Sequence, residues 1–241
     1  MQPGFYATGS IRFRTTAWSV LLNPCAEDRT ETFEYLFRTY WRPVYAYYRR
    51  AFGLPAEQAS DLTQGLFLRL MSQPPDLSPE RGRFRSFLKV AARNHMHDQR
   101  KRKAGDGAFA PSHWSALIDA AEPIDPAPEA DRAFESEFAQ ALLAGAVAAF
   151  EEDCRARGIE RWVEVVRLRY LEPPEEGVRG LVAAIAERME LTPEQVSRLI
   201  YKARQGLKRH LLQAVRETLP ADAADEQVHA EAAELINLLE A

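Results

Sequence analysis

Apolar residues recur along the chain at intervals of three and four, the spacing of one helix face, and no segment alternates as a strand would. Leu36, Phe37, Tyr40, Trp41, Val44, Tyr45 and Tyr48 form the first such stripe. Pro43 interrupts it and predicts a bend or one open backbone hydrogen bond. Gly53-Leu54-Pro55 ends it. A second stripe, Leu62, Leu66, Phe67 and Leu70, stops at Pro74-Pro75. A third, Phe84, Phe87, Leu88, Ala91, Ala92 and His95, runs into Arg100-Lys101-Arg102-Lys103. The spacing therefore predicts three helices within residues 29–103.

Between 104 and 131 the periodicity is lost. Four prolines and scattered acids predict a linker without its own core, anchored at most by Trp114 and Leu117. Helical spacing returns at Phe134, Phe138, Leu142 and Phe150, and again at Trp162, Val166 and Tyr170. Helices are expected over 178–189 and 194–218, with a short acidic helix from Glu226 to Leu239. The expected class is all-α, with two small helical domains. In order these are an N-terminal extension (1–28), a three-helix domain (29–103), the linker (104–131), a second helical domain (132–218) and an acidic tail (219–241).

The sharpest local signal lies in the second domain. Val182, Ile185, Ala186 and Met189 make one apolar face; Val196, Leu199, Ile200, Ala203 and Leu207 make the next. Between them, Glu190-Leu191-Thr192-Pro193 reads as a turn. Thr192 suits the N-cap, Pro193 the first helical position, and Gln195 closes a capping box onto Thr192. A short turn into a sharply started second helix is a helix-turn-helix. Its outward side carries Gln195, Ser197, Arg198, Tyr201, Lys202, Arg204 and Lys208, residue types that bond base edges and phosphates in a major groove. Glu190 stands where such turns often use glycine for a left-handed backbone.

Charge sharpens this picture. The 241 residues carry a net charge of −4, which hides strong blocks. From Arg81 to Lys103 nine Lys or Arg face one acid; from Ala104 to Gln140 eight acids face Arg132; from Glu217 onward seven acids meet no Lys or Arg. Basic blocks meet phosphates and acidic ones repel them. No apolar run is long enough for a membrane helix and no signal peptide is visible, so a cytoplasmic chain without membrane insertion is expected. Cys25 and Cys154 lack metal-type spacing and read as reduced thiols. His95 and His97 point about 200° apart on one helix and cannot chelate together, so neither metal nor cofactor is expected. No feature supports an enzyme.

Three stretches carry a resemblance: "YWRPVYAYYRR", "ASDLTQGLFLRL" and "GRFRSFLKVAARNHMHDQRKRK", all within Tyr40–Lys103. They look like region two of extracytoplasmic-function sigma factors, and "LTPEQVSRLIYKARQGLKRHL" looks like their region four. The resemblance implies that the chain directs core RNA polymerase to promoters, touching the beta-prime clamp helices and the beta flap. It implies polymerase docking through Asp61, Leu62, Gln64 and Phe67. It implies minus-ten reading and melting by the third helix, with Asn94 on a flipped base and Phe84 and Phe87 beside it. Arg85, Lys89, Arg93, Arg100, Lys101, Arg102 and Lys103 would complete that surface. Gln195 to Lys208, on the second helix of the helix-turn-helix, would read the minus-thirty-five element.

The chain departs from the family where many members carry Asp-Ala-Glu-Asp; here the residues are Gln58, Ala59, Ser60 and Asp61. A phosphate on Thr63 would restore about −1.5 to −2 of charge there. That makes Thr63 a candidate phosphorylation site and a Ser/Thr kinase, or an anti-sigma factor, a candidate partner. Two other readings stay open: a helix-turn-helix regulator that acts without polymerase, which would not need the basic helix at 84–103, and a helical interaction module, which would not need two basic surfaces.

Overall fold

The structure, a computed structural model, describes residues 26–72, 83–103, 128–172, 177–220 and 222–240. Among these the only regular elements are helices: α1 (Ala26–Ala51), α2 (Ala56–Ser72), α3 (Phe84–Lys103), α4 (Pro128–Ala156), α5 (Arg161–Val166, continued by a π-helical turn Arg167–Leu171), α6 (Gly177–Met189), α7 (Pro193–Thr218) and α8 (Asp225–Glu240). Pro43 lies buried within α1, which runs on past it. Trp114, Leu117 and the rest of residues 104–127 lie outside the described residues, as does Cys25.

The helices gather into two compact units. One takes the described residues of Arg12–Leu142 and of Val215–Ala241; the other takes Leu143–Ala214. In the first unit α1, α2 and α3 meet around aromatic side chains. Tyr40 packs edge-on against Phe84 with ring centroids 5.1 Å apart, and Tyr48 donates its hydroxyl to the Ala92 carbonyl at 3.0 Å. Gly65 lets α2 approach α3, since a Cβ there would stand 3.0 Å from His95 Nε2. His95 is buried, as its place on the apolar stripe indicates.

This unit holds more than its three-helix stripe pattern indicates. Phe138 of α4 stacks on Tyr40 at 5.3 Å, and Phe134 meets Tyr47 edge-on at 6.4 Å. These aromatic contacts go with the first unit's extent to Leu142. Nor is the acidic tail separate. Val228, Ala232 and Leu235 make a buried stripe on α8, at the i, i+4, i+7 spacing of a docked face.

In the second unit Phe150, Cys154, Val165, Leu168, Leu181, Ile185, Met189, Val196 and Ala203 share one core. Gly206 sits against its aromatic wall, where a Cβ would fall 2.9 Å from Phe150 and 3.3 Å from Trp162. Two helices here end in the same way. Gly158 (φ +64°) follows α4, and Ile159 N–H donates back to the Cys154 carbonyl at 2.9 Å. Glu190 (φ +54°) follows α6, and Leu191 N–H donates to Ala186 at 2.9 Å. Both are Schellman caps, with the next apolar side chain, Ile159 or Leu191, packed on the core. Only the second forces an L side chain into the left-handed region, which costs about 1–2 kcal/mol. Glycine removes that strain but gives the unfolded chain more freedom. Glu190→Gly is thus expected to raise stability by about 0.5–1 kcal/mol in urea unfolding, and a loss of stability would count against the strained cap.

Candidate nucleic-acid interface

The turn of the helix-turn-helix hands α7 a firmly started N-terminus. Gln195 N–H donates to Thr192 Oγ1 at 3.3 Å, and Thr192 N–H donates to Gln195 Oε1 at 2.8 Å, a reciprocal capping box. Ser197 donates its hydroxyl to the Pro193 carbonyl at 2.9 Å. Beyond this first turn the helix turns Val196, Leu199, Ile200, Ala203 and Leu207 to the core. The opposite side leaves Gln195, Ser197, Arg198, Tyr201, Lys202, Arg204 and Lys208 exposed, all seven residues that the helical spacing selects. Tyr201 stands out most, an aromatic 66% exposed. Glu194 is the one acid on the first turn. Its carboxyl is held below the usual range, first by its own backbone N–H at the helix start and then by the Thr192 hydroxyl.

Helix α3 is less open. Phe84 and Phe87 are buried core residues, not exposed platforms beside a base. Arg85 is also buried, which drives its pKa down chiefly by desolvation, while Glu135 opposes the shift. Its guanidinium Nε lies 3.1 Å from Glu135 and its Nη1 is bonded to Glu231. Arg83 Nη2 lies 3.0 Å from Glu231 and its Nη1 3.3 Å from Glu234. Lys89 Nζ is 3.0 Å from Glu135 and 3.6 Å from Asp131. Arg93 and Asn94 are half-buried, each engaged within the fold. Arg100 is exposed and lies over the Phe52 ring at 5.5 Å. The side chains of Lys101, Arg102 and Lys103 lie outside the described residues. Arg85 and Lys89 were legible as cations, but their carboxylate partners come from α4 and α8, which no local pattern in α3 announces.

On α2, Asp61 and Gln64 are exposed, Leu62 is half-buried, and Phe67 is buried against Phe37 and Trp41. The outward stripe is instead Asp61, Gln64, Leu68 and Met71, at i, i+3, i+7 and i+10. Leu68 is 56% exposed, and Phe37 on α1 is 45% exposed. Leu68 and Met71 lie off the apolar stripe Leu62, Leu66, Phe67 and Leu70, whereas Phe37 lies on the stripe of α1 and is exposed all the same. The signal available was the spacing from Asp61 to Leu68.

Thr63 corrects the sequence expectation outright. It is fully buried, and its hydroxyl donates to the Ala59 carbonyl at 2.7 Å. Position 63 lies on the inner face of α2, about 200° from Asp61, so the surface phosphoacceptor reading is withdrawn. Ala59 is buried as well, so only Gln58 and Asp61 of that quartet are fully exposed. Thr63→Val is expected to stay within about 1 kcal/mol of wild type. Thr63→Glu should lose more than about 3 kcal/mol or fail to fold, because an unpaired carboxylate enters the core. Equal urea midpoints for the two variants would place residue 63 at the surface after all.

Among the described residues no helix is long and apolar enough to cross a membrane, and no group of His, Cys, Asp and Glu is arranged to hold a metal. No curated protein and no solved structure matches the chain. Residues 36–105, which take in α2 and α3 and most of α1, match the family model of sigma-70 region 2. That family consists of non-enzymatic transcription initiation factors. Residues 36–105 are thus similar to a sigma-70 region 2 domain, which supports an RNA polymerase sigma factor and is consistent with the extracytoplasmic-function type.

Proposed function

We propose that this chain works as a sigma factor of the extracytoplasmic-function type, docking on core RNA polymerase with its first unit and reading two promoter elements. Helix α3 opens the minus-ten element, with Asn94 contacting an extracted base. Helix α7 reads the minus-thirty-five element as region four. The observation that carries this reading is the joining of a region 2 domain to a helix-turn-helix whose second helix exposes Arg198, Tyr201, Lys202, Arg204 and Lys208. Lys and Arg there neutralise phosphates, and a bidentate Arg discriminates bases. A gel shift with and without core polymerase tests it. Specific binding is expected chiefly with the core enzyme present, and equal specific binding without it favours a free-standing regulator.

Polymerase docking is assigned to the outward stripe of α2. Asp61 and Gln64 offer polar contacts, and Leu68, Met71 and Phe37 offer apolar area. With one exposed acid where many members have several, the apolar share of the contact rises. Leu68→Glu should weaken core-polymerase pull-down at least tenfold, about 1.4 kcal/mol, and leave the urea midpoint unchanged because the side chain is already half in water. Unaltered pull-down moves the docking surface elsewhere.

For DNA, Arg198→Ala and Tyr201→Ala should each weaken holoenzyme binding by about 1–3 kcal/mol where they touch bases. Lys208→Ala should weaken it alike on every sequence, since phosphates carry no base information. Equal losses on cognate and scrambled minus-thirty-five DNA for all three variants would remove α7 from the role of recognition helix.

A further inference from the structure

Helix α8 is amphipathic with one anomaly. Val228, Ala232 and Leu235 are buried at helical spacing, and Glu231, in the middle of that stripe, is 1% exposed. A buried carboxylate needs a cationic partner. It has two, Arg83 and Arg85, at the start of α3. Glu234, one turn nearer solvent, lies 3.3 Å from Arg83 and 3.9 Å from Arg85. Glu135 and Asp131 of α4 take Lys89. Four carboxylates thus hold three cations of the one helix whose basic block most resembles a nucleic-acid surface.

We propose that α8 is an autoinhibitory latch, a built-in polyanion mimic whose Glu231 and Glu234 occupy Arg83 and Arg85 and keep the start of α3 from nucleic-acid phosphates until the helix undocks. The proposal rests on the assignment of α3 to promoter DNA. Arg83 divides Nη2 and Nη1 between Glu231 and Glu234, and Arg85 gives Nη1 to Glu231 and Nε to Glu135. Docked α8 and a backbone phosphate therefore compete for the same donors of these arginines. The helix is also set up to arrive as a preformed unit. Its N-terminus is capped by Ala224 N–H donating to Gln227 Oε1 at 3.1 Å, and Arg216 ties back to the Ala223 carbonyl at 3.3 Å and to Asp225. Only six residues separate it from α7, so its effective concentration beside α3 is high. The outer face carries the exposed Ile236, which leaves the docked side to the acid-bearing stripe.

The test uses the full chain and a fluorescein-labelled, mixed-sequence single-stranded oligonucleotide, with anisotropy read at low and at physiological salt. Glu234→Lys is half exposed and does not threaten the core; the isosteric pair Glu231→Gln with Glu234→Gln loosens the buried contact. Backbone hydrogen exchange over 226–239 reports undocking, and Arg100→Ala, at an exposed site outside the latch, reports whether α3 binds the probe at all. If the latch holds, both latch variants exchange faster over α8 and bind about 5–150-fold more tightly, the usual range of an intramolecular coupling. Adding Arg83→Ala should cancel most of that gain. Faster exchange with unchanged affinity, while Arg100→Ala still weakens binding, overturns the latch and leaves α3 as a DNA surface. Unchanged exchange in both variants overturns the latch equally, since the carboxylates then do not hold the helix. If Arg100→Ala binds the probe as tightly as wild type, the assignment of α3 to DNA fails, and the latch fails with it.

Discussion

The burial of Arg85 governs the first unit. A guanidinium cannot lose its protons within the accessible pH range, so taking it out of water demands carboxylates at bonding distance. Glu135 on α4 and Glu231 on α8 meet that demand, and each can do so only if its helix lies along α3. The side chain also rests 5.4 Å from the Phe138 ring, which itself stacks on Tyr40. Polar and aromatic requirements therefore agree on one packing. A pair of this kind adds little net stability over an apolar substitute, yet removing one partner typically costs about 3–5 kcal/mol. Its effect is to specify which helices gather around α3.

The same constraint shapes which faces of α3 stay open. The apolar stripe of α3 sends Phe84, Phe87 and Leu88 inward, which leaves the flanking positions half-buried or exposed. Arg93, Asn94 and Arg100 lie along these, beyond the cations taken up by α4 and α8. On α2 the division is similar. Phe67 supports the surface from beneath, while Leu68 and Met71 present it.

The helix-turn-helix unit is governed instead by its backbone. The left-handed Glu190 closes α6, and the Thr192–Gln195 box opens α7 within two residues. Leu191, in the turn between them, packs on the core, so the turn is anchored by an apolar contact rather than by the polar face. That face is consequently free to vary in composition without disturbing either helix end.

Local chemistry written in the sequence determined the helices, the capping box, the core position of His95 and the exposure of the α7 polar face. Each follows from spacing of three and four or from side chain to backbone bonds within a few residues. What only tertiary structure decided is which partner each charge finds and which side of each stripe is covered. Thr63 and Asp61 are two residues apart, and helical geometry sends them to opposite sides of α2. Phe37 lies on the apolar stripe of α1 beside Leu36, yet Leu36 is buried and Phe37 is 45% exposed. Glu231 reads as one more acid of an acidic tail until Arg85, 146 positions away, is brought against it. Periodicity reports that a helix has a face to bury; it carries no record of what that face will meet, because the meeting is made by residues distant in the chain.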